Sequence, residues 1–164
     1  MREPIEVLIN EYQRNLFAAA FSICKNAEDA NDVVQETFIQ YYTSKKGFDD
    51  KQHLKAWLIR VAINKSKDMT RSFWRRNKSD LSPEELPEEG IENGLDPVEM
   101  RLFDEVMRLP EKIRIVIHLH YYEDMSVREI AHILMTTEGA VKMRLSRGRK
   151  MLKALLQEEW SDDE

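Results

Sequence analysis

The apolar positions along this chain recur at helical spacing, and no run alternates polar and apolar residues in the way a half-buried strand would. Residues 5–24 form an apolar-rich stretch ending in "LFAAAFSIC", which predicts a first helix. Asn26 is a suitable N-cap, with Glu28 and Asp29 in the turn that follows, so a second helix is expected to about Tyr42. Gly47 marks a break and "FDDKQH" reads as a polar loop before a long helix from about Leu54 to Arg76. After a breaker-rich stretch, helices are expected over 98–108 and 111–122, with Pro110 suited to the first turn of the second. Ser126 followed three residues later by Glu129 is a capping-box pattern for a short helix to about Leu134. Thr137 then caps a last helix to about Glu158.

The faces of three of these helices carry the functional information. In "AEDANDVVQETFIQYY" Ala30, Val33, Val34, Phe38 and Tyr41 share an apolar side, leaving Asp29, Asp32, Gln35, Glu36 and Gln40 for solvent or a partner. An exposed pair of acids one turn apart has no cause for a raised pKa, so a protein-binding surface is expected there rather than catalysis. In the long helix Leu58, Ala62, Met69 and Phe73 form the core side, while Trp57, Arg60, Asn64, Lys67, Asp68, Arg71 and Arg75 line a polar stripe. Aromatic, amide and guanidinium groups along one stripe suit single-stranded nucleic acid, which offers bases to stack on and phosphates to pair with. The loop from Lys45 to His53 is placed to wall a pocket for an unstacked base. The bland reading puts Trp57 and Trp74 in the core and the charges in solvent.

The last two helices, in "SVREIAHILMTTEGAVKMRLSRGRKML", have the helix-turn-helix layout, with a tight connection at Met135 to Thr137. Val141, Leu145, Gly148, Leu152 and Leu155 should face Ile130, Ala131 and Leu134; Gly139, Lys142, Met143, Ser146, Arg149 and Lys150 should face outward. Lys142, Met143 and Ser146 are then placed for base edges, and Arg144, Arg147 and Arg149 for phosphates.

Charge sharpens this picture. The 164-residue chain is acidic, at net −5, yet residues 55–78 hold 8 basic groups and 1 acidic, and residues 142–153 hold 6 basic and none acidic. A merely solvated helix would intersperse acids for pairing along its face. Between these blocks, residues 80–105 hold 10 acidic groups and 1 basic. Within that region "SDLSPEELPEEGIENGLDP", residues 79–97, reads as a flexible tether able to span at most ~60 Å. The chain therefore reads as all-α, two small helical domains over 1–78 and 98–164 joined by an acidic linker over 79–97.

Several classes of function are unsupported. No apolar run approaches a membrane span, and Glu3, Glu6 and Glu11 stand where a signal peptide needs a basic start, so the cytoplasm is the expected site of action. The single cysteine, Cys24, excludes an internal disulfide framework and suits a small core position. His118, His120, Glu123 and Asp124 look like metal ligands, but residues two apart on a helix point about 200° from each other. No metal, cofactor or catalytic residue is expected, nor an enzyme.

"DVVQETF" at 32–38, "LKAWLIRVAINKSKDMTR" at 54–71, the acidic linker, "LPEKIRIVIHLHYYEDMSVREIAHIL" at 109–134 and "EGAVKMRLSRGRKML" at 138–152, in this order, resemble bacterial sigma factors of the extracytoplasmic-function group. The resemblance implies a region-two helical bundle followed by a region-four helix-turn-helix domain. It implies that Asp32, Gln35 and Glu36 meet the beta-prime clamp helices of core RNA polymerase. It assigns the stripe from Trp57 to Arg75 and the Lys45–His53 loop to the minus-ten element, as melted strand. The final helix, with Lys142, Met143, Arg144, Ser146, Arg147 and Arg149, would read the minus-thirty-five element as duplex, and the apolar first half of its domain would meet the beta flap. An anti-sigma factor is the implied regulator and a stress or envelope response the implied setting. Asp124-Met125-Ser126 replaces the family's more usual Gly-Leu-Ser, which should alter a turn and leave the fold intact. The alternative is a stand-alone helix-turn-helix regulator working without polymerase, which leaves the DVVQETF helix unexplained.

Overall fold

The computed structural model describes residues 2–76 and 97–162, with side chains described over 2–71 and 101–157. Among the described residues every regular element is helical. They form two compact units, divided within residues 77–96, which lie outside the described residues with all of the expected linker but its last residue; Pro97 instead opens a helix.

The first unit consists of α1 (Ile5–Cys24), α2 (Ala27–Thr43) and α3 (Lys51–Arg76), each packed against the other two. Its core is made of Leu8, Leu16, Ala20, Ala30, Val33, Leu54, Leu58, Ile59 and Ala62, all fully buried. Three hydroxyls lie inside this apolar centre and are satisfied along their own helices. Thr37 donates to the Val33 carbonyl at 2.7 Å, Ser66 to Ala62 at 2.7 Å, and Ser22 to Ala19 at 2.6 Å. Asn26 caps α2 as expected, its Oδ1 accepting from the Asp29 N–H at 3.0 Å. Cys24 is half-buried at the end of α1, where Lys25 turns into the left-handed region at φ 55°.

α3 begins three residues before the predicted Leu54. Asp50 supplies the reason: its Oδ1 accepts from the His53 N–H at 2.7 Å, and its carbonyl accepts from Leu54 at 3.1 Å. That is N-cap geometry, so Lys51, Gln52 and His53 are the first helical turn rather than loop. Phe48, read as part of a polar loop, is 3% exposed. Its ring meets Tyr41, His53 and Trp57 at centroid distances of 6.1, 5.3 and 5.5 Å.

The second unit holds α4 (Pro97–Met107), α5 (Glu111–Ile117), α6 (Val127–Leu134) and α7 (Glu138–Asp162). Pro110 is the N-cap of α5 rather than its first helical residue, its carbonyl accepting from Ile113 and Arg114. The segment expected to be helical to residue 122 ends in a π-helical turn over His118–Tyr122. Asp124 follows at φ 54°, and this is where the departure from glycine is accommodated, because Asp is among the few side chains that tolerate the left-handed region. The turn continues into α6 without disturbing it. Ser126 and Glu129 complete the capping box in both directions.

Buried charge binds α4 to α5. The guanidinium of Arg114, 3% exposed, donates to the Leu109 carbonyl at 2.8 Å and to Met107 at 3.4 Å, closing the end of α4. α7 packs on α5 and α6 through Val141, Leu145 and Gly148. A Cβ at Gly148 would lie 2.7 Å from Ile117 Cγ1 and Cδ1, so glycine is what permits the close approach of α7 to α5.

Candidate nucleic-acid and polymerase surfaces

On α2 the predicted division holds. Ala30, Val33, Val34, Phe38 and Tyr41 are buried, while Asp32, Gln35, Glu36 and Gln40 are exposed. Glu36 lies 3.9 Å from Lys65 Nζ of α3, a surface pair that leaves most of the carboxylate in water. Asp29 departs from the expectation for exposed acids. It is half-buried, and burial, then the charges of Asp32 and Glu28, push its carboxyl above the usual range. Two residues not singled out in the sequence, Ile39 and Tyr42, are 60% and 70% exposed and continue the Asp32-Gln35-Glu36 face by one turn. Their type pointed to core; the phase of Ile39, about 200° from Tyr41, argues for exposure, whereas Tyr42 lies only about 40° from Phe38 and its exposure is not given by phase.

The α3 stripe is assembled in part. Asn64, Asp68 and Arg71 are exposed, and Arg60 and Lys67 are half-buried beside them. Trp57 is half-buried, its ring edge-on to Tyr41 at 6.4 Å and to Phe48 at 5.5 Å. It thus shares the aromatic cluster beneath the α2–α3 loop as well as the head of the stripe. Arg75 lies in the helix, but its side chain, like those of Phe73 and Trp74, is outside the described residues.

On α7, Thr137 is the N-cap as predicted, its Oγ1 accepting from the Ala140 N–H at 3.0 Å. The α6–α7 connection turns at Met135, at φ 55°. Lys142, Met143, Arg149 and Lys150 are exposed on one side of the helix, with Ser146 half-buried among them, and Arg147 is exposed about 140° around from Lys142. Arg144 does not join this set. It lies about 200° around the helix from Lys142 and is half-buried. The structure adds Tyr121, whose hydroxyl accepts from Arg149 Nη1 at 3.0 Å. Nothing in the sequence links residues so far apart.

The two histidines diverge as their spacing requires. His118 is half-buried, its side chain 12% exposed, stacked on Tyr122 at 4.9 Å, with Nε2 3.9 Å from Glu123 Oε1; desolvation of the ring pulls its pKa down to about 4. His120 instead places Nδ1 2.9 Å from the Met125 carbonyl. Among the described residues no group of three or more His, Cys, Asp or Glu is disposed to hold a metal ion. No described helix is long and apolar enough to cross a membrane.

Residues 8–77 match the family model for Sigma-70 region 2, and residues 99–152 that for Sigma-70, region 4. The chain is also similar to the ECF RNA polymerase sigma factor SigW of Bacillus subtilis (strain 168), at 30% identity over 92% of this chain and 88% of the relative. It belongs to the ECF sigma factors. ECF RNA polymerase sigma factor SigL of Mycobacterium tuberculosis (strain CDC 1551 / Oshkosh) is 32% identical over 94% of this chain and 89% of its own. Among solved structures, the sigma factor RpoE in complex with the anti-sigma factor NepR from Bartonella quintana matches with a TM-score of 0.78 and 25% identity, over 93% of this chain and 96% of that one. CnrH in complex with the cytosolic domain of CnrY matches at 0.65 and 27% identity, over 93% and 87% of the two chains. As an ECF sigma factor, the protein binds core RNA polymerase and directs promoter-specific initiation. The two helical units are its region-two and region-four modules.

Proposed function

We propose how this sigma factor divides its work among its surfaces. Residues 1–78 dock on polymerase and capture the minus-ten strand, 79–96 act as a tether, and 97–164, from the start of α4, read the minus-thirty-five duplex. Tethering keeps the second contact at high effective concentration once the first is made. The observation that carries this reading is the outward face of α7, where Lys142, Arg149 and Lys150 are exposed on one side of a helix capped by Thr137 and backed by α6, with Arg147 exposed on its flank. Cations facing one way from the second helix of a helix-turn-helix suit a major groove, with Met143 and Ser146 placed for base edges.

Asp32, Gln35 and Glu36 face the beta-prime clamp helices, with Ile39 and Tyr42 adding apolar area to that contact. Asn64, Asp68 and Arg71, flanked by Trp57, Arg60, Lys67 and Arg75, face the melted strand, where bases and phosphates are available together. The apolar part of the second module meets the beta flap. No covalent step is asked of the chain: binding energy alone orients polymerase and holds unpaired bases. The protein works in the cytoplasm, where a dedicated anti-sigma factor restrains it, as NepR and CnrY are found bound to RpoE and CnrH.

Run-off transcription from a randomised promoter library, with bacterial core polymerase present and absent, tests the assignment. Core-dependent initiation from templates sharing two boxes is the expected result. Selection of a palindrome bound equally well without core would overturn it in favour of a free-standing regulator.

A further inference from the structure

The residues ahead of α1 are tied across the end of α2. Arg2 Nη1 donates to the carbonyls of Ser44 at 2.6 Å and Lys46 at 3.1 Å, and its Nη2 donates to the Tyr41 carbonyl at 3.0 Å. The guanidinium carbon sits 4.6 Å from the centroid of the Tyr41 ring. Glu3 closes the arrangement from the other side. Its N–H donates to the Tyr41 hydroxyl at 3.0 Å, and the same hydroxyl donates back to the Glu3 carbonyl at 2.8 Å. Lys51, at the start of α3, places its ammonium 3.7 Å from the carboxylates of both Glu3 and Glu11.

Capping α2 would require only the carbonyls of its last turn, of which Tyr41 is one. The bond to Lys46 lies beyond the helix, within the loop to α3, and helix capping does not account for it. The far side of the loop is fixed as well, by Phe48 buried against Tyr41, His53 and Trp57. Between these two anchors only Lys45, Lys46 and Gly47 stand in solvent, and nothing lies within 4 Å of where a Gly47 Cβ would be. The loop tip is therefore short, doubly cationic and held at both ends.

We infer that Arg2 is a positioning residue for strand capture: by gripping the Ser44 and Lys46 carbonyls it sets the direction in which the Lys45–Gly47 tip meets single-stranded promoter DNA. The inference rests on the proposed assignment of this loop to the minus-ten element. The planar guanidinium fork spreads its donors over two nitrogens, Nη1 toward Ser44 and Lys46 and Nη2 toward Tyr41, whereas a lysine ammonium must aim all of its donors from one point. Base selectivity at the strand then depends on a residue that touches no base.

The test uses the full chain bound to bacterial core polymerase and a single-stranded DNA pool of about a dozen randomised nucleotides, with sequencing of the captured strands. Wild-type holoenzyme should enrich a defined sequence. Arg2→Ala should still bind core and retain its thermal midpoint, while enrichment of the preferred bases falls about tenfold, the scale of one charge-assisted hydrogen bond. Arg2→Lys, which keeps the charge, should lose nearly as much. Full enrichment by Arg2→Ala would overturn the positioning role, and so would a loss that merely follows a lower thermal midpoint or weaker core binding. If wild-type holoenzyme enriches nothing, the assignment of the loop to strand capture fails, and the inference fails with it.

Discussion

Arg149 of α7 and Tyr121, at the end of the α5 segment, are joined by a 3.0 Å hydrogen bond across the outer surface of the second module. The bond restricts a long side chain that would otherwise sample many rotamers before meeting a phosphate. Arg149→Ala should lower the salt dependence of duplex binding by about one counterion and weaken binding to all sequences alike. Tyr121→Phe keeps the charge, so it should weaken binding only a few-fold and leave the salt slope unchanged. Titrating holoenzyme against duplex DNA at several salt concentrations separates the two outcomes. Equal salt slopes for wild type and Arg149→Ala would remove Arg149 from the interface.

The acidic face of α2 predicts a different defect. Asp32→Ala combined with Glu36→Ala removes two exposed carboxylates that support no core. The 3.9 Å pair between Glu36 and Lys65 is a surface pair of the kind that contributes little to stability. Association with core polymerase should fall at least about tenfold while the thermal midpoint stays put. A competition assay against labelled wild-type chain measures this, and undiminished competition would move the polymerase surface elsewhere.

Gly148 lies where α7 crosses α5, with Ile117 2.7 Å and Ile113 3.0 Å from the position of a Cβ. Gly148→Val should destabilise the second module by roughly 1–3 kcal/mol, the usual cost of forcing extra methyl groups into a packed site. Its intrinsic helix propensity, better than glycine's, offsets only part of that. Urea unfolding of the full chain, followed by amide exchange of the second module, would reveal it. Stability equal to wild type would mean that the two helices separate at little cost.

His118 makes the second module acid-sensitive. Its pKa is pulled down to about 4 by burial, whereas in the unfolded chain it is near 6.5. Between these values the unfolded state binds the proton and the folded state does not, so stability is full above about pH 7 and declines as pH falls through 6.5 toward 4. From pH 7.5 to 5.5 the loss should reach ~1.3 kcal/mol, moderated by the Glu123 carboxylate 3.9 Å away. Comparing urea midpoints of wild type and His118→Gln at these two pH values isolates the effect. Parallel pH profiles would show that His118 keeps its proton when folded.

Much of this was legible in the sequence because it follows from periodicity. The buried and exposed sides of α2, the capping box at Ser126 and Glu129, and the Thr137 cap are local patterns that tertiary context had no reason to override. The start of α3 is hidden because Lys51, Gln52 and His53 are polar and resemble loop, although Asp50 supplies the cap. Arg144 is one more cation of the same helix by composition, and its partial burial emerges only once the helices have packed. Contacts such as Arg2 with Lys46 or Tyr121 with Arg149 join residues dozens of positions apart. No local pattern encodes them, because they exist only once the helices have packed.

The stretch of α7 without acids has an energetic meaning beyond recognition. Arg144 with Arg147, Arg147 with Lys150, Lys150 with Lys153 and Arg149 with Lys153 are neighbours three or four positions apart on one helix. Like charges so placed repel, by a few tenths of a kcal/mol each. The free helix is therefore held in a self-repelling state by the packing of Val141, Leu145 and Gly148 behind it. Counterions, or the phosphates of a duplex, relieve that repulsion, so α7 is most comfortable when its charges are neutralised.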